Sequence, residues 1–260
     1  MRHRTVRSGS IARIIDMPHT LERTLIVMPA YNEEASIGSV LREVFEVLPG
    51  AAVLVVDDGS HDSTADVARA AGATVAVLPF NLGVGGAMRT GFRFAIDNGF
   101  DCVVQIDADG QHDPADVPAL LEALDTADLA IGARFAGRGD YAVRGPRHWA
   151  MKVLSRTLSG TAHTRLTDTT SGFRASGPRC VALFAIHYPA EYLGDTIEAL
   201  VIAARSGMII RQVPVSMRVR SAGTPSHNPF KAAAYLARVA LALVFALLRP
   251  ASSFRETAQS

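Results

Sequence analysis

Two carboxylates two residues apart, Asp107 and Asp109, close the apolar run of VVQIDADGQHDP (103–114). Gln111, His112 and Asp113 follow, and no Lys or Arg stands within the stretch to neutralise the charge. An unpaired carboxylate at the edge of a core is expensive, so its partner is expected from outside the chain. Two carboxylates and the Gln111 amide oxygen suit a hard divalent ion, Mg²⁺ or Mn²⁺, that keeps waters and shares substrate phosphates. The competing reading is turn chemistry, for which Asp-Ala-Asp-Gly is also well suited. His112, beside a hard-metal site, reads as a hydrogen-bond partner rather than a ligand.

Other stretches add polar groups. Tyr31-Asn32-Glu33 follow LIVMPA (25–30), and Asp57-Asp58 end AVLVVDD (52–58). The Gly-rich NLGVGGAMRTGF (81–92) opens a helix and could cradle a phosphate. It fails the dinucleotide fingerprint, which needs Gly where Met88 stands, and it lacks the Lys-Ser/Thr pair of a P-loop. The alternative for its glycines is close helix–sheet packing. DTTSGFR (168–174) combines a carboxylate, hydroxyls, a Gly and Arg174 in an expected loop. With Arg134, Arg144 and Arg147, Arg174 could clamp a phosphate through its guanidinium fork, or simply be a solvated surface group.

The elements that must position these groups follow from hydrophobic pattern. Short β-branched apolar runs at 25–30, 52–58, 73–79, 102–109 and 129–134 read as strands buried on both faces. Helix-length segments at 34–48, 62–72, 85–99 and 114–127 lie between them, the second with Asp62 or Ser63 as N-cap and Gly72 as its stop. Strand–helix alternation predicts an α/β fold with a mostly parallel sheet flanked by helices. Ligands of such sheets bind beyond the C-terminal strand ends, where the polar clusters of the first, second and fourth strands converge. Further on, 147–160 and 195–207 read as helices, and IIRQVPVSMRVR (209–220) as an exposed or edge strand.

The chain has 260 residues, 48% of them apolar, and a formal net charge of +1. It can bury a full core, and the charge argues against a protein built to coat nucleic acid. Cys102 and Cys180 lie in apolar stretches without metal-ligand spacing, as buried thiols of a reducing compartment would. Residues 1–23 form a basic tail lacking the apolar run of a signal peptide, so a cytoplasmic body is expected. A catalytic domain over 24–228 is followed by a helix at 229–250 and a tail at 251–260. Lys231, Arg238 and Arg249 lie 7 and 11 residues apart, on one stripe of that otherwise apolar helix. It fits the headgroup layer of an anionic membrane, on the cytoplasmic face, or else a homo-oligomer interface.

VMPAYNEEASIGSVL, VVDDGSHDST, NLGVGGAMRTGF, QIDADGQHDP, IGARF, DTTSGFRA and QVPVSMRVRSAGTPS occur in the order seen in family 2 glycosyltransferases. The chain resembles their dolichyl-phosphate mannose synthase-like branch, the polyprenyl-phosphate sugar transferases, over about residues 24–228. The resemblance implies a GT-A (Rossmann-like) fold, a nucleotide-diphosphate sugar donor, an inverting transfer and a polyprenyl phosphate acceptor. It places Pro29, Tyr31, Asn32 and Glu33 along the nucleotide pocket and Asp58 near the base. Asn81, Gly85, Ala108 and Arg220 join the donor site, with Arg220 closing over it. Asp107, Asp109 and Gln111 would hold the metal, and Arg134, Arg147 and Arg174 would face the acceptor phosphate. Two departures are Val84, where the family often carries Lys, and Thr-Pro-Ser-His (224–227), where it often reads Ser-Lys.

An anionic lipid phosphate would need no general base, whereas a hydroxyl acceptor would need Asp195 or Glu198 to take its proton. Both also read as helix-start charges favoured by the dipole. A non-catalytic nucleotide-sugar-binding protein is the alternative from another class. A nucleotidyltransferase would want a basic Gly-rich loop after the first strand, which PAYNEEAS does not supply.

Overall fold

A computed structural model describes residues 19–133, 168, 170–189 and 195–218. Its strands are β1 (Thr24–Ala30), β2 (Ala52–Asp57), β3 (Thr74–Val77), β4 (Cys102–Gln105), β5 (Leu129–Ala133), β6 (Arg174–Ser176) and β7 (Ile210–Pro214). Its helices are α1 (Ile37–Val47), α2 (Thr64–Ala70), α3 (Gly83–Asp97), α4 (Val117–Ala123), α5 (Pro178–His187) and α6 (Asp195–Arg205). The strands form one sheet in the order β3-β2-β1-β4-β6-β5-β7, antiparallel only where β6 meets β4 and β5.

β1 shows why the sheet sits where it does. All seven of its residues are buried. Leu25 and Val27 pack into the layer formed by α3, α5 and α6, while Ile26 and Met28 pack into the layer of α1 and α4. A strand covered on both faces cannot alternate apolar with polar, and LIVMPA does not. α1 buries Ile37, Val40, Leu41 and Val44, the one-sided stripe of a surface helix. Gly91 sets the distance of α3 from the sheet, because a Cβ there would lie 2.5 Å from Val27 Cγ1. The packing reading of the Gly-rich stretch therefore holds at this position.

The chain builds outward through β1, β2 and β3, then returns to lay β4 on the other side of β1. The reversal between β1 and β4 leaves a crevice at their C-terminal ends, flanked by β2. The expected convergence of Tyr31-Asn32-Glu33, Asp57-Asp58 and Asp107 follows from this order.

Three differences from the sequence expectation are informative. β4 stops at Gln105, so Asp107 and Asp109 lie in the following turn and strand alternation does not aim them. Residue 174 lies in a strand, not a loop: Arg174–Ser176 inserts antiparallel between β4 and β5, pairing Gln105 with Arg174 and Val104 with Ala175. α5 is a further element, and its Pro178 start and nearly continuous apolar run account for its position against α3. Both cysteines are free and buried, and burial pushes the Cys102 thiol up to about 12. Among the described residues no helix is long and apolar enough to cross a membrane. Residues 1–18, 147–160 and the 229–250 segment lie outside the described residues.

Candidate active site

Three loops meet on the β1–β2 side of the crevice and are tied together by short polar side chains. Asn32 adopts a positive φ of 55°, which Asn tolerates. Its N–H donates to Ser60 Oγ at 2.9 Å and its Oδ1 accepts from the His61 N–H at 2.8 Å. The Glu33 N–H donates to Thr64 Oγ1, and its carboxylate accepts from Ser36 Oγ at 2.6 Å. Asp62 accepts from the Thr64 hydroxyl and from the N–H groups of Thr64 and Glu34. Burial acts to raise the Asp62 carboxyl, but these bonds together hold it below the ordinary carboxylate range. Tyr31 stays 42% exposed with its ring edge-on to His61, on the open side of the loop.

Asp58 joins the next loop. Its two oxygens accept from the N–H groups of Leu82 and Gly83, each at 2.7 Å. Burial nevertheless pushes its carboxyl above the ordinary range, against the two bonds that favour the ion. Gly83 also donates to Asn81 Oδ1 at 3.0 Å and has a φ of +82° that favours glycine. The amides at the start of α3, which could have cradled a phosphate, are thus engaged by Asp58 and Asn81. Gly59 permits the approach: a Cβ there would lie 2.9 Å from the Phe80 carbonyl carbon. Gly85 is buried in the first turn of α3, whereas Val84 is 47% exposed beside it.

On the β4 side, Ile106 donates its N–H to the Val27 carbonyl and brings Asp107 to the crevice. Asp107 Oδ1 accepts from Gln105 Nε2 at 3.0 Å, and Oδ2 faces His112 Nε2 at 3.6 Å. The Asp107 N–H donates to His112 Nδ1 at 3.0 Å, so the neutral ring carries its proton on Nε2. The imidazole is 2% exposed and stacks on Phe173 at 4.8 Å. His112 is therefore a hydrogen-bond partner, as its position in the sequence suggested.

Asp109 is 4% exposed and Oδ1 accepts from the Gln111 N–H, while Gly110 takes a φ of 77°. Turn chemistry and a pair of carboxylates thus coexist in one segment. Ala108 is buried between them, and Pro29 in β1 is also buried. Among the described residues no Lys or Arg pairs with Asp107, whose carboxylate side chain is 38% exposed. Nor do three or more His, Cys, Asp or Glu side chains among them group into a metal cage. An ion held by one or two carboxylates and completed by substrate phosphates would not require such a cage.

Arg174 has a setting the sequence did not suggest. It is 4% exposed; Nε donates to the Ser171 carbonyl at 2.8 Å and Nη1 to the Thr196 carbonyl at 2.9 Å. Its guanidinium thus ties the 168–173 loop to the start of α6. Asp168 is fully buried, accepting from the Thr170 N–H and hydroxyl. Asp195 and Glu198 stand in the first turn of α6, where the dipole favours acidic residues. Arg134, Arg144, Arg147 and Arg220 lie outside the described residues.

Residues 216–218, just before the Arg220 expected at the donor site, brace the turn through contacts that residue type did not indicate. Arg218 donates its N–H to the Gln111 carbonyl, Met217 bridges His112, and Ser216 donates to Asp116 Oδ2. The Arg218 guanidinium reaches Glu43 at 2.5 Å and Asp113 at 2.8 Å. The alternation of 209–220 and the QVPVSMRVRSAGTPS motif pointed to this stretch, but not to these contacts.

The sequence model of the Glycosyl transferase family 2 matches residues 25–182, which contain both sides of this crevice. The chain belongs to that family. This glycosyltransferase is 37% identical over 214 residues to an undecaprenyl-phosphate mannosyltransferase of Micrococcus luteus, covering 77% of this chain and 86% of the relative. It is 31% identical over 224 residues to a dolichyl-phosphate hexose transferase of Haloferax volcanii, covering 85% and 93%. Among solved structures, glucosyl-3-phosphoglycerate synthase of Mycobacterium tuberculosis, in complex with Mg²⁺ and uridine diphosphate, superposes with a TM-score of 0.68 at 25% identity. That match covers 96% of this chain and 86% of the other. The glycosyltransferase thus has the expected GT-A arrangement of a mostly parallel sheet between helices.

Proposed function

We propose that this glycosyltransferase moves a hexose from a nucleoside diphosphate sugar to a polyprenyl phosphate. The observation that carries this is the half-exposed Asp107 carboxylate at the β1/β4 reversal, without a cationic partner among the described residues, in a chain that spans most of a lipid-phosphate mannosyltransferase. Asp107 and Asp109, with Gln111, would hold Mg²⁺ or Mn²⁺ on the donor diphosphate. When bound, the ion offsets the charge that develops on the departing nucleoside diphosphate. Tyr31, Asn32 and Glu33 would wall the nucleotide side, and Asp58 fixes the loop carrying Asn81 and the start of α3, where Gly85 lies. Arg220 would close over the donor, and Arg134 and Arg147 would meet the acceptor phosphate.

An acceptor phosphate oxygen is already anionic, so attack on the anomeric carbon needs no base and inverts that centre. Arg174 then serves to fix the loop beside Asp107 rather than to bind substrate. The 229–250 segment would lie on an anionic membrane at its cytoplasmic face, with homo-oligomer contact as the other use of that helix. Incubation with a panel of uridine and guanosine diphosphate sugars, undecaprenyl phosphate and Mn²⁺, read by mass, tests the reading. A glycosylated lipid phosphate is expected. Transfer to a sugar hydroxyl alone, lost on Asp195→Asn or Glu198→Gln, would replace it with the base-dependent reaction.

A further inference from the structure

The chemistry at Asp107 depends on where its two oxygens point, and two buried neutral groups set that direction. Gln105 is the last residue of β4 and 6% exposed; its amide donates to Oδ1 at 3.0 Å. His112 places Nε2 3.6 Å from Oδ2, close but beyond hydrogen-bond length, its other nitrogen accepting from the Asp107 N–H. Gly172 lies across both: a Cβ there would sit 2.9 Å from Gln105 Nε2 and 3.2 Å from Asp107 Oδ2. Gly172 has no positive φ in this structure, so what it supplies is space.

We infer that Gln105, with His112, is a positioning residue that aims the Asp107 carboxylate at the divalent ion, and that Gly172 leaves the room for this alignment. The inference rests on the metal reading above. Each group is uncharged, which fixes the carboxylate while leaving its negative charge for the ion. A Lys or Arg in either place would supply the countercharge itself and compete. Groups that orient a ligand in this way typically change metal affinity by about 10–100-fold when removed. Gln105 is on β4, and its register neighbour Arg174 is anchored to two carbonyls, so the amide stands on a rigid strand pair.

The test uses the full chain, with free Mn²⁺ read by electron paramagnetic resonance during titration in the presence of uridine or guanosine diphosphate. Gln105→Met keeps the size of the side chain and removes the donor; Gln105→Glu keeps the shape and puts an acceptor against Oδ1. Gly172→Ala intrudes from the other side. Mn²⁺ affinity should fall about tenfold or more in Gln105→Met and further in Gln105→Glu. Turnover by Gln105→Met should recover at high Mn²⁺. A packing role alone would shift the melting temperature and leave the affinity of the folded protein unchanged. Affinity within twofold of wild type in Gln105→Met and Gly172→Ala overturns the inference. Gly172→Ala, in a half-buried loop, carries the test if Gln105→Met does not fold. A wild-type chain that binds no Mn²⁺ with either nucleotide overturns the metal reading itself.

Discussion

Replacing Asp58 separates two opposed contributions whose balance the structure allows to be worked out. Removing its charge relieves a burial cost, since burial holds its carboxyl above the ordinary range. Removing its oxygens strands the amides at the start of α3. In Asp58→Asn one oxygen remains, and it can keep the Leu82 N–H, for which Asp58 is the acceptor at 2.7 Å. The Gly83 N–H then falls back on Asn81 Oδ1 at 3.0 Å. A charged bond is exchanged for a neutral one, partly offset by the desolvation relief, so the loss should be about 1 kcal/mol. Asp58→Ala leaves the Leu82 N–H without that acceptor and should cost about 2–3 kcal/mol. The decisive variant is the pair Asp58→Asn with Asn81→Ala, in which Gly83 loses both acceptors. Its destabilisation should exceed the sum of the singles by about 1 kcal/mol or more. Urea unfolding of the four proteins measures this. Additivity within about 0.5 kcal/mol would show that the two side chains do not share the Gly83 amide, and the clamp would be refuted.

Asp107→Ala and Asp109→Ala should each abolish transfer while the melting curve stays cooperative, and donor affinity measured by calorimetry should lose its dependence on Mn²⁺. Near-normal turnover in either variant would remove the metal assignment. Asp62 has a depressed carboxyl, so its contribution to stability is complete above the ordinary carboxylate pKa of about 4 and is lost as the pH falls through its lowered value. The melting-temperature gap between wild type and Asp62→Asn should therefore shrink on acidification through that range; a constant gap would contradict it. Gly91→Ala should destabilise by about 1–3 kcal/mol in thermal melts, because the added Cβ meets Val27 where β1 cannot retreat from its two layers.

What the sequence showed, and what it did not, divides along a physical line. Buried strands declare themselves because a surface covered on both faces has to be apolar throughout, and β1, β2 and β5 could be read from that alone. β6 could not: Arg-Ala-Ser has neither alternation nor an apolar run, and only its two neighbours make it a strand. The polar clusters were legible as a site because topology places them at one edge. Their separate tasks were not, since these depend on which atom each group reaches. Asp58 and Arg174 are both chemically able to bind a ligand, yet the visible work of each is to hold a backbone segment. Nothing in residue type distinguishes a carboxylate that meets solvent from one that closes a loop.

The same distinction explains the absence of positive charge in QIDADGQHDP. The turn is held from several sides, yet among the described residues the polar contacts of Asp107 come from the Gln105 amide and the His112 ring. Among the described residues, the Arg218 cation near this turn is drawn outward by Glu43 and Asp113. Those pairs are partly exposed, so their gain in stability is about 1 kcal/mol at most. Their larger effect is geometric: with Arg218 turned to α1 and Asp113, its backbone can brace the Gln111 carbonyl without its charge reaching Asp107. A carboxylate braced by neutral groups keeps its charge and loses its freedom, which is the state in which it binds a divalent ion at the least cost in reorganisation. The strap after β7, the Gln105 amide and the His112 ring thus serve one end. On the metal reading proposed above, they would hold the turn before the donor arrives and leave its charge for the donor's ion.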